Sequence, residues 1–291
     1  MERRTELASA TVAILGLGLM GGSLAMALDG RVRRLLAYDP DLATLELARR
    51  ERIVEQAAAA PWEILPEADL VILAAPVRAI ITLIHQLPEW HPGEAVVIDL
   101  GSTKTQVCQA LAGLPGRFDP LGGHPMCGKS AHGLANAEAS LFRGASFVFT
   151  PLPRSGERAR TLAAQLAEAI GAHPLWLDAE AHDRWVAATS HAPYLLACAL
   201  TLATPSEAAP LVGPGFRSAS RLASSSTTMM GDILRTNREN VLLACRRIRA
   251  ELSRIESLLS EGEYPALLQI LEEAAAYRPV LLEAPDQEHG P

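Results

Sequence analysis

Residues 11–28 read TVAILGLGLMGGSLAMAL, and this stretch decides the fold. Its first five residues are apolar or β-branched, the pattern of a short buried strand. Glycines follow at 16, 18 and 21, and small and apolar residues then recur at helical spacing until Asp29 and Gly30 end the run. Strand, glycine turn and helix in that order turn a weak pattern into a dinucleotide-binding fingerprint. Gly16 permits the tight turn, Gly18 lets a pyrophosphate approach the backbone without meeting a Cβ, and Gly21 lets the helix lie close to the sheet. The amides of Leu19 and Met20, at the positive end of the helix, are expected to hold the phosphates. Asp39 stands about 20 residues further on, at the tip of a second apolar run, where a carboxylate accepts from adenosine ribose hydroxyls and repels the extra phosphate of NADP. NAD is the expected cofactor, and a glycine turn without a ligand is the bland alternative.

The alternation continues outward. Residues 34–39 (RLLAYD), 69–76 (DLVILAAP), 95–102 (AVVIDLGS), 146–151 (SFVFTP) and 174–178 (PLWLD) are further strand-like runs, with helical stretches among them. The fold class that follows is α/β, a doubly wound, mostly parallel Rossmann-type sheet. Beyond residue 178 no strand-like run appears. Helices are expected over 179 to about 204, 227 to about 261 and 265 to about 282, with the Pro-, Gly- and Ser-rich stretch TPSEAAPLVGPGFRSASRLASSS between the first two reading as a loop. The expected division is an NAD-binding domain over 9–178, an all-helical substrate and dimerisation domain over 179–283, and a disordered tail over 284–291. Two of the helices are apolar round much of their circumference, which predicts a homodimer; packing on the first domain is the alternative.

The chain has 291 residues, 49% of them hydrophobic, and a net charge of -7 with acidic and basic residues interspersed. That balance argues against a nucleic-acid or anionic-membrane partner and for a small-molecule substrate. Cys108, Cys127, Cys198 and Cys245 show no paired metal spacing and read as reduced thiols, so no metal is expected. No apolar run is expected to reach the roughly 18 to 20 residues that cross a bilayer, and the opening MERRTELASA lacks a signal-peptide core. The expected location is the cytoplasm.

In such a sheet, ligands gather beyond the carboxyl ends of the strands. Ala75, Pro76 and Val77 end one strand on the cofactor side, and DLGSTK places Ser102 and Lys104 at the end of another. The segment GGHPMCGKSAHG (122–133) reads as a turn presenting His124 at the same rim. A group titrating near neutral pH beside a hydride acceptor can take the proton an alcohol loses on oxidation. Each has a bland reading beside it: His124 as a turn residue, Ser102 as a helix N-cap, Lys104 as a solvated first-turn residue.

Taken together, GLGLMGGSLA, DLGSTK, GGHPMCG, EAHDRWVAATSHAPYLLACAL and GFRSASRLA followed by MMGDI resemble, in order, the motifs of prephenate and arogenate dehydrogenases of tyrosine synthesis. The resemblance spans residues 11 to about 280. It implies a nicotinamide-binding domain followed by a helical dimerisation domain. It further implies that His124 is the catalytic histidine, that Ser102 bonds the substrate's ring hydroxyl beside the cofactor, and that Arg221 holds a substrate carboxylate. His191 is expected to pin the domain junction or line the pocket, and His182 with Asp183 reads as a helix-start network, not as catalytic. Arg217 reads as solvated.

Three departures stand out. Tyr194 replaces a second pocket histidine of many relatives and cannot become cationic. Lys129 and Ser130 stand where many relatives carry a Glu, which favours prephenate over arogenate, because a carboxylate there would favour arogenate's ammonium. Met230 and Ser218 stand in place of the usual tryptophan and acid, implying a looser carboxylate pocket. Two rivals differ in kind: a β-hydroxyacid dehydrogenase, whose interdomain lysine has no counterpart in a second domain without lysines, and a non-catalytic NAD sensor.

Overall fold

The computed structural model describes residues 6–129 and 131–282. The elements run β1 (Thr11–Leu15), α1 (Leu19–Leu28), β2 (Arg34–Tyr38), α2 (Leu42–Arg50), β3 (Gln56–Ala58), β4 (Leu70–Leu73), α3 (Val77–Trp90), β5 (Ala95–Asp99), α4 (Thr105–Ala112), β6 (Phe118–Pro125), β7 (Ser146–Pro151), α5 (Glu157–Ala169) and β8 (His173–Trp176). One eight-stranded sheet forms in the order β3-β2-β1-β4-β5-β6-β7-β8, parallel except where β7 runs against β6. Chain order reverses between β1 and β4, the crevice where such sheets take their ligands.

Strand alternation explains the layers. Val12 and Ile14 face one core with Leu24 and Leu28 of α1 and Leu162 and Leu166 of α5. Ala13 and Leu15 face the other, with Ile80 and Ile84 of α3 and Val107 and Leu111 of α4. Successive side chains of a strand point to opposite faces, so a strand covered on both sides is apolar throughout.

The sheet holds two strands beyond the six expected. β3 is only three residues, Gln56, Ala57 and Ala58, with no β-branched signal. β6 corrects a reading: the Gly122–Pro125 stretch is the end of a strand, with His124 opposite Val148 of β7, and is not a turn. Glycine stands there for closeness, since a Cβ on Gly123 would lie 2.5 Å from the carbonyl oxygen of Asp99.

The helical part comprises α6 (Ala179–Val186), α7 (Ala192–Ala203), α8 (Pro214–Ser220), α9 (Thr227–Thr236), α10 (Arg238–Glu261) and α11 (Tyr264–Leu282). A π turn, Ala187–His191, joins α6 to α7. Pro193, the second residue of α7, lies just beyond it; a proline removes one helical amide, and a widened turn accommodates the loss. The expectation about apolar length needs amending, because Ala179–Ala203 is a continuous 25-residue helical run holding an 18-residue stretch of mean hydropathy 1.4, long and apolar enough by composition to cross a bilayer. The expected loop between α7 and α9 instead coils into the short turns Ser206–Leu211 and Arg221–Ser224 around α8, and α8 and the Arg221–Ser224 turn pack along α7. The expected helix over 227–261 breaks at Asn237. By contacts within one chain, the first compact unit runs to Val241 and takes in α6 to α9; the second begins at Leu242. The tail expected over 284–291 lies outside the described residues.

Candidate active site

The glycine turn has the geometry its sequence demands. Gly16 adopts φ +106°, and a Cβ there would lie 2.5 Å from the carbonyl oxygen of Ala74. That contact sets the turn against the Ala75–Pro76–Val77 segment, where Pro76 caps α3. A Cβ on Gly21 would lie 1.9 Å from the carbonyl oxygen of Gly16, whereas the space over Gly18 is open within 4 Å. Leu19 and Met20 open α1, so their amides lack intrahelical partners. Asp39 accepts from the Leu17 amide at 2.7 Å and from the Asp41 amide at 2.9 Å, which fixes its carboxylate at the tip of β2 with lone pairs to spare. Open space, free amides and a fixed anion fit a dinucleotide.

The second half of the site is a buried polar cluster at the ends of β5 and β6. Lys104 is fully buried, paired with Asp99, and donates to the carbonyl of Gly123 at 2.6 Å. Asp99 in turn accepts from the amides of Gly101 and Gly123. The solvated reading of Lys104 is therefore wrong: its ammonium ties β5 to the residue preceding His124. Ser102 is half-buried beside it and does not cap α4. The cap comes from another part of the chain, since Asp183 of α6 accepts from the amides of Lys104 (2.7 Å) and Thr105 (2.9 Å).

His124 is bound into this cluster. Its Nδ1 lies 2.9 Å from Nε2 of His182, and Nδ1 of His182 lies 2.9 Å from Oδ1 of Asp183. Burial, reinforced by His182, Lys104 and His191, holds the His124 imidazole well below its ordinary pKa, so it is neutral at neutral pH. Burial works against ionisation of Asp183, but hydrogen bonds from His182 and Thr105 and from the amides outweigh it and keep the carboxyl low. His191 is also buried and pushed down to about 4, chiefly by burial; Asn237 Nδ2 lies 3.3 Å from its Nδ1 and donates to the carbonyl of Asp183 at 2.7 Å. Thr103 and Thr236 share a hydrogen bond of 2.8 Å that ties the β5–α4 loop to α9.

Other expected residues fall outside this cluster. Tyr194 is buried against Met230 and Ile233, with Leu222 packed on the same group. Arg221 is exposed on the Arg221–Ser224 turn, next to Leu222. Lys129 is paired with Glu138 at 2.5 Å, so its charge is already engaged. Ser130 lies outside the described residues. The sequence reading placed His182 and Asp183 in a helix-start network and missed their reach to His124 and to the start of α4; it also missed Asn237 and the true setting of Lys104. A His-Asp pair in a first helical turn looks like local capping, and nothing in its spacing reveals that it reaches residues about 58 to 79 positions away.

The fold and the histidine at its carboxyl edge define a nicotinamide-dependent dehydrogenase. Residues 23–175 match the family model described as prephenate dehydrogenase, nucleotide-binding domain, and residues 178–273 the one described as prephenate dehydrogenase, dimerization domain. The chain belongs to the prephenate dehydrogenase family. Prephenate dehydrogenase of Bacillus subtilis (strain 168) is 30% identical over 280 residues, covering 92% of this chain and 75% of that protein. The crystal structure of prephenate dehydrogenase from A. aeolicus in complex with hydroxyphenyl propionate and NAD+ matches with a TM-score of 0.87 at 26% identity, covering 94% of this chain and 99% of that one. Synechocystis arogenate dehydrogenase matches with a TM-score of 0.81 at 26% identity, over 93% and 99%.

Proposed function

We propose that the chain catalyses the NAD-dependent oxidative decarboxylation of prephenate to 4-hydroxyphenylpyruvate in tyrosine synthesis. The observation that carries this reading is His124: neutral, half-buried, engaged at Nδ1 by His182, and with no hydrogen-bond partner at Nε2 among the described residues. NAD, held by the Gly16–Gly21 turn and Asp39 and flanked by Ala75–Val77 and Ser102, supplies the hydride acceptor. The chain's own part is to receive the proton of the C4 hydroxyl at His124 Nε2, with Ser102 aligning that hydroxyl. Loss of carbon dioxide from C1 leaves an aromatic ring, which drives the reaction. Arg221 offers a planar pair of donors to a substrate carboxylate, a geometry lysine does not reproduce. His191 and Tyr194 bound the substrate side from α7 and the turn before it.

Arogenate is the second reading, supported by the match to an arogenate dehydrogenase. Because Lys129 is engaged by Glu138, its charge gives less reason to disfavour the arogenate ammonium than its sequence position suggests. A homodimer through the helical domain is supported by the dimerization-domain match and by α11, which buries no described residue and leaves Leu268 57% exposed. A functional division near residues 178 and 179 is supported by the two matches, the first ending at residue 175 and the second beginning at residue 178. A cytoplasmic location accords with four free cysteines. Purified protein with NAD and prephenate should produce reduced cofactor; NAD binding without turnover of prephenate or arogenate would overturn the enzymatic reading, and turnover of arogenate alone would establish the second.

A further inference from the structure

We infer that His182 and Asp183 are positioning residues that fix the tautomer of His124, so that its Nδ1 carries the proton and its Nε2 is left bare. Asp183 is acceptor-only and already receives two backbone amides from the start of α4. Its Oδ1 faces Nδ1 of His182, so that nitrogen must carry a proton. In a neutral ring the other nitrogen, Nε2, is then an acceptor, and it faces Nδ1 of His124. His124 must donate there, which bares Nε2. The alternative, a doubly protonated His182, would reverse the last bond and place a proton on His124 Nε2. It would also set a second buried cation in the cluster that contains Lys104, with His182 only 1% exposed.

The chain of bonds crosses from the helical part to the sheet. Asp183 caps α4 and orders His182 at once, so the register between α6 and the β5–α4 loop decides where His124 points. This inference rests on the reading of His124 as the base. Nitrogen-15 NMR of histidine-labelled enzyme reads the tautomer directly, without substrate: His124 should carry its proton on Nδ1, and protonation on Nε2 in the wild type would overturn the inference even if the enzyme is active. Absence of turnover with either substrate would overturn the functional reading and leave the tautomer measurement standing.

Variants add a kinetic arm. His182→Leu should lower kcat about 100-fold or more with KM for NAD nearly unchanged. His182→Gln, whose amide oxygen can sit near the position of Nε2 and accept from His124, should recover about tenfold over His182→Leu. Asp183→Asn offers a donor to His182 and favours the reversed chain, so kcat should fall while the NMR signal of His124 moves to the Nε2-protonated form. Wild-type kcat in His182→Leu would overturn the inference, and if these variants do not fold, the wild-type spectrum decides alone.

Discussion

The histidine end and the arginine end of the proposed site are built in opposite ways. At the histidine end, Asp99, Lys104, Asp183, His182 and His124 are linked by hydrogen bonds into one cluster in which only His124 keeps appreciable exposure. At the other end, Arg221 is exposed on a short turn within a segment rich in serine, glycine and proline. Proton transfer needs a base placed and desolvated before the substrate arrives, whereas holding a carboxylate needs only a charge that can close on it. The first is a property of the folded chain; the second is completed by the ligand.

Four measurements can break or sharpen that contrast, taken from the largest expected effect to the smallest. His124→Asn should lower kcat by about 10² to 10⁴ while NAD affinity, measured by titration, stays nearly unchanged. A fully active variant would remove the histidine end from the chemistry. The second concerns stability. His191 has a folded pKa of about 4 against an ordinary value of 6.5, so the unfolded chain binds the extra proton and stability falls as pH drops from about 6.5 towards 4. The loss is on the order of 3 kcal/mol at the acid end of that window. The groups facing this cluster are His124, His182, Asp183 and Lys104, and His124 contributes in the same direction. His191→Gln should therefore show a flatter decline in denaturant midpoint between pH 7 and pH 5, and an identical decline would show that His191 is not held neutral.

Arg221→Ala should cost about 2 kcal/mol of substrate binding, a roughly 30-fold rise in KM, with a smaller change in kcat. If kcat falls instead and KM holds, the arginine acts on the transition state, and the two ends are less different than they look. Smallest is Lys129→Ala, which removes a half-exposed pair with Glu138 and should change stability by less than about 1 kcal/mol. Its ratio of prephenate to arogenate turnover should stay as in the wild type; a marked shift would return Lys129 to the substrate side.

Much of the nucleotide half was legible because its signals are local. Gly16, Gly18 and Gly21 declare a turn through their missing side chains, and the paired apolar runs declare a sheet covered on both faces. β3 and β6 escaped for opposite reasons. β3 is too short to announce itself and lacks β-branched or aromatic residues, and β6 carries glycines and prolines that imitate a turn, because close approach and tight turning call for the same residue. At the site, motif resemblance picked out His124, Ser102 and Arg221. It gave no hint that Lys104 is buried or that His182 touches His124, since both facts depend on pairing residues far apart in the chain.

The sequence alone determined the class of fold and the place of the dinucleotide turn, because backbone conformation and side-chain periodicity are set within a few residues, and its motifs singled out the histidine at the sheet's edge. Tertiary structure alone decided which nitrogen of that histidine faces His182, what keeps the ring neutral and what closes the amino end of α4. These follow from burial and from hydrogen bonds made across long stretches of chain, and no local pattern encodes a partner that only folding brings near.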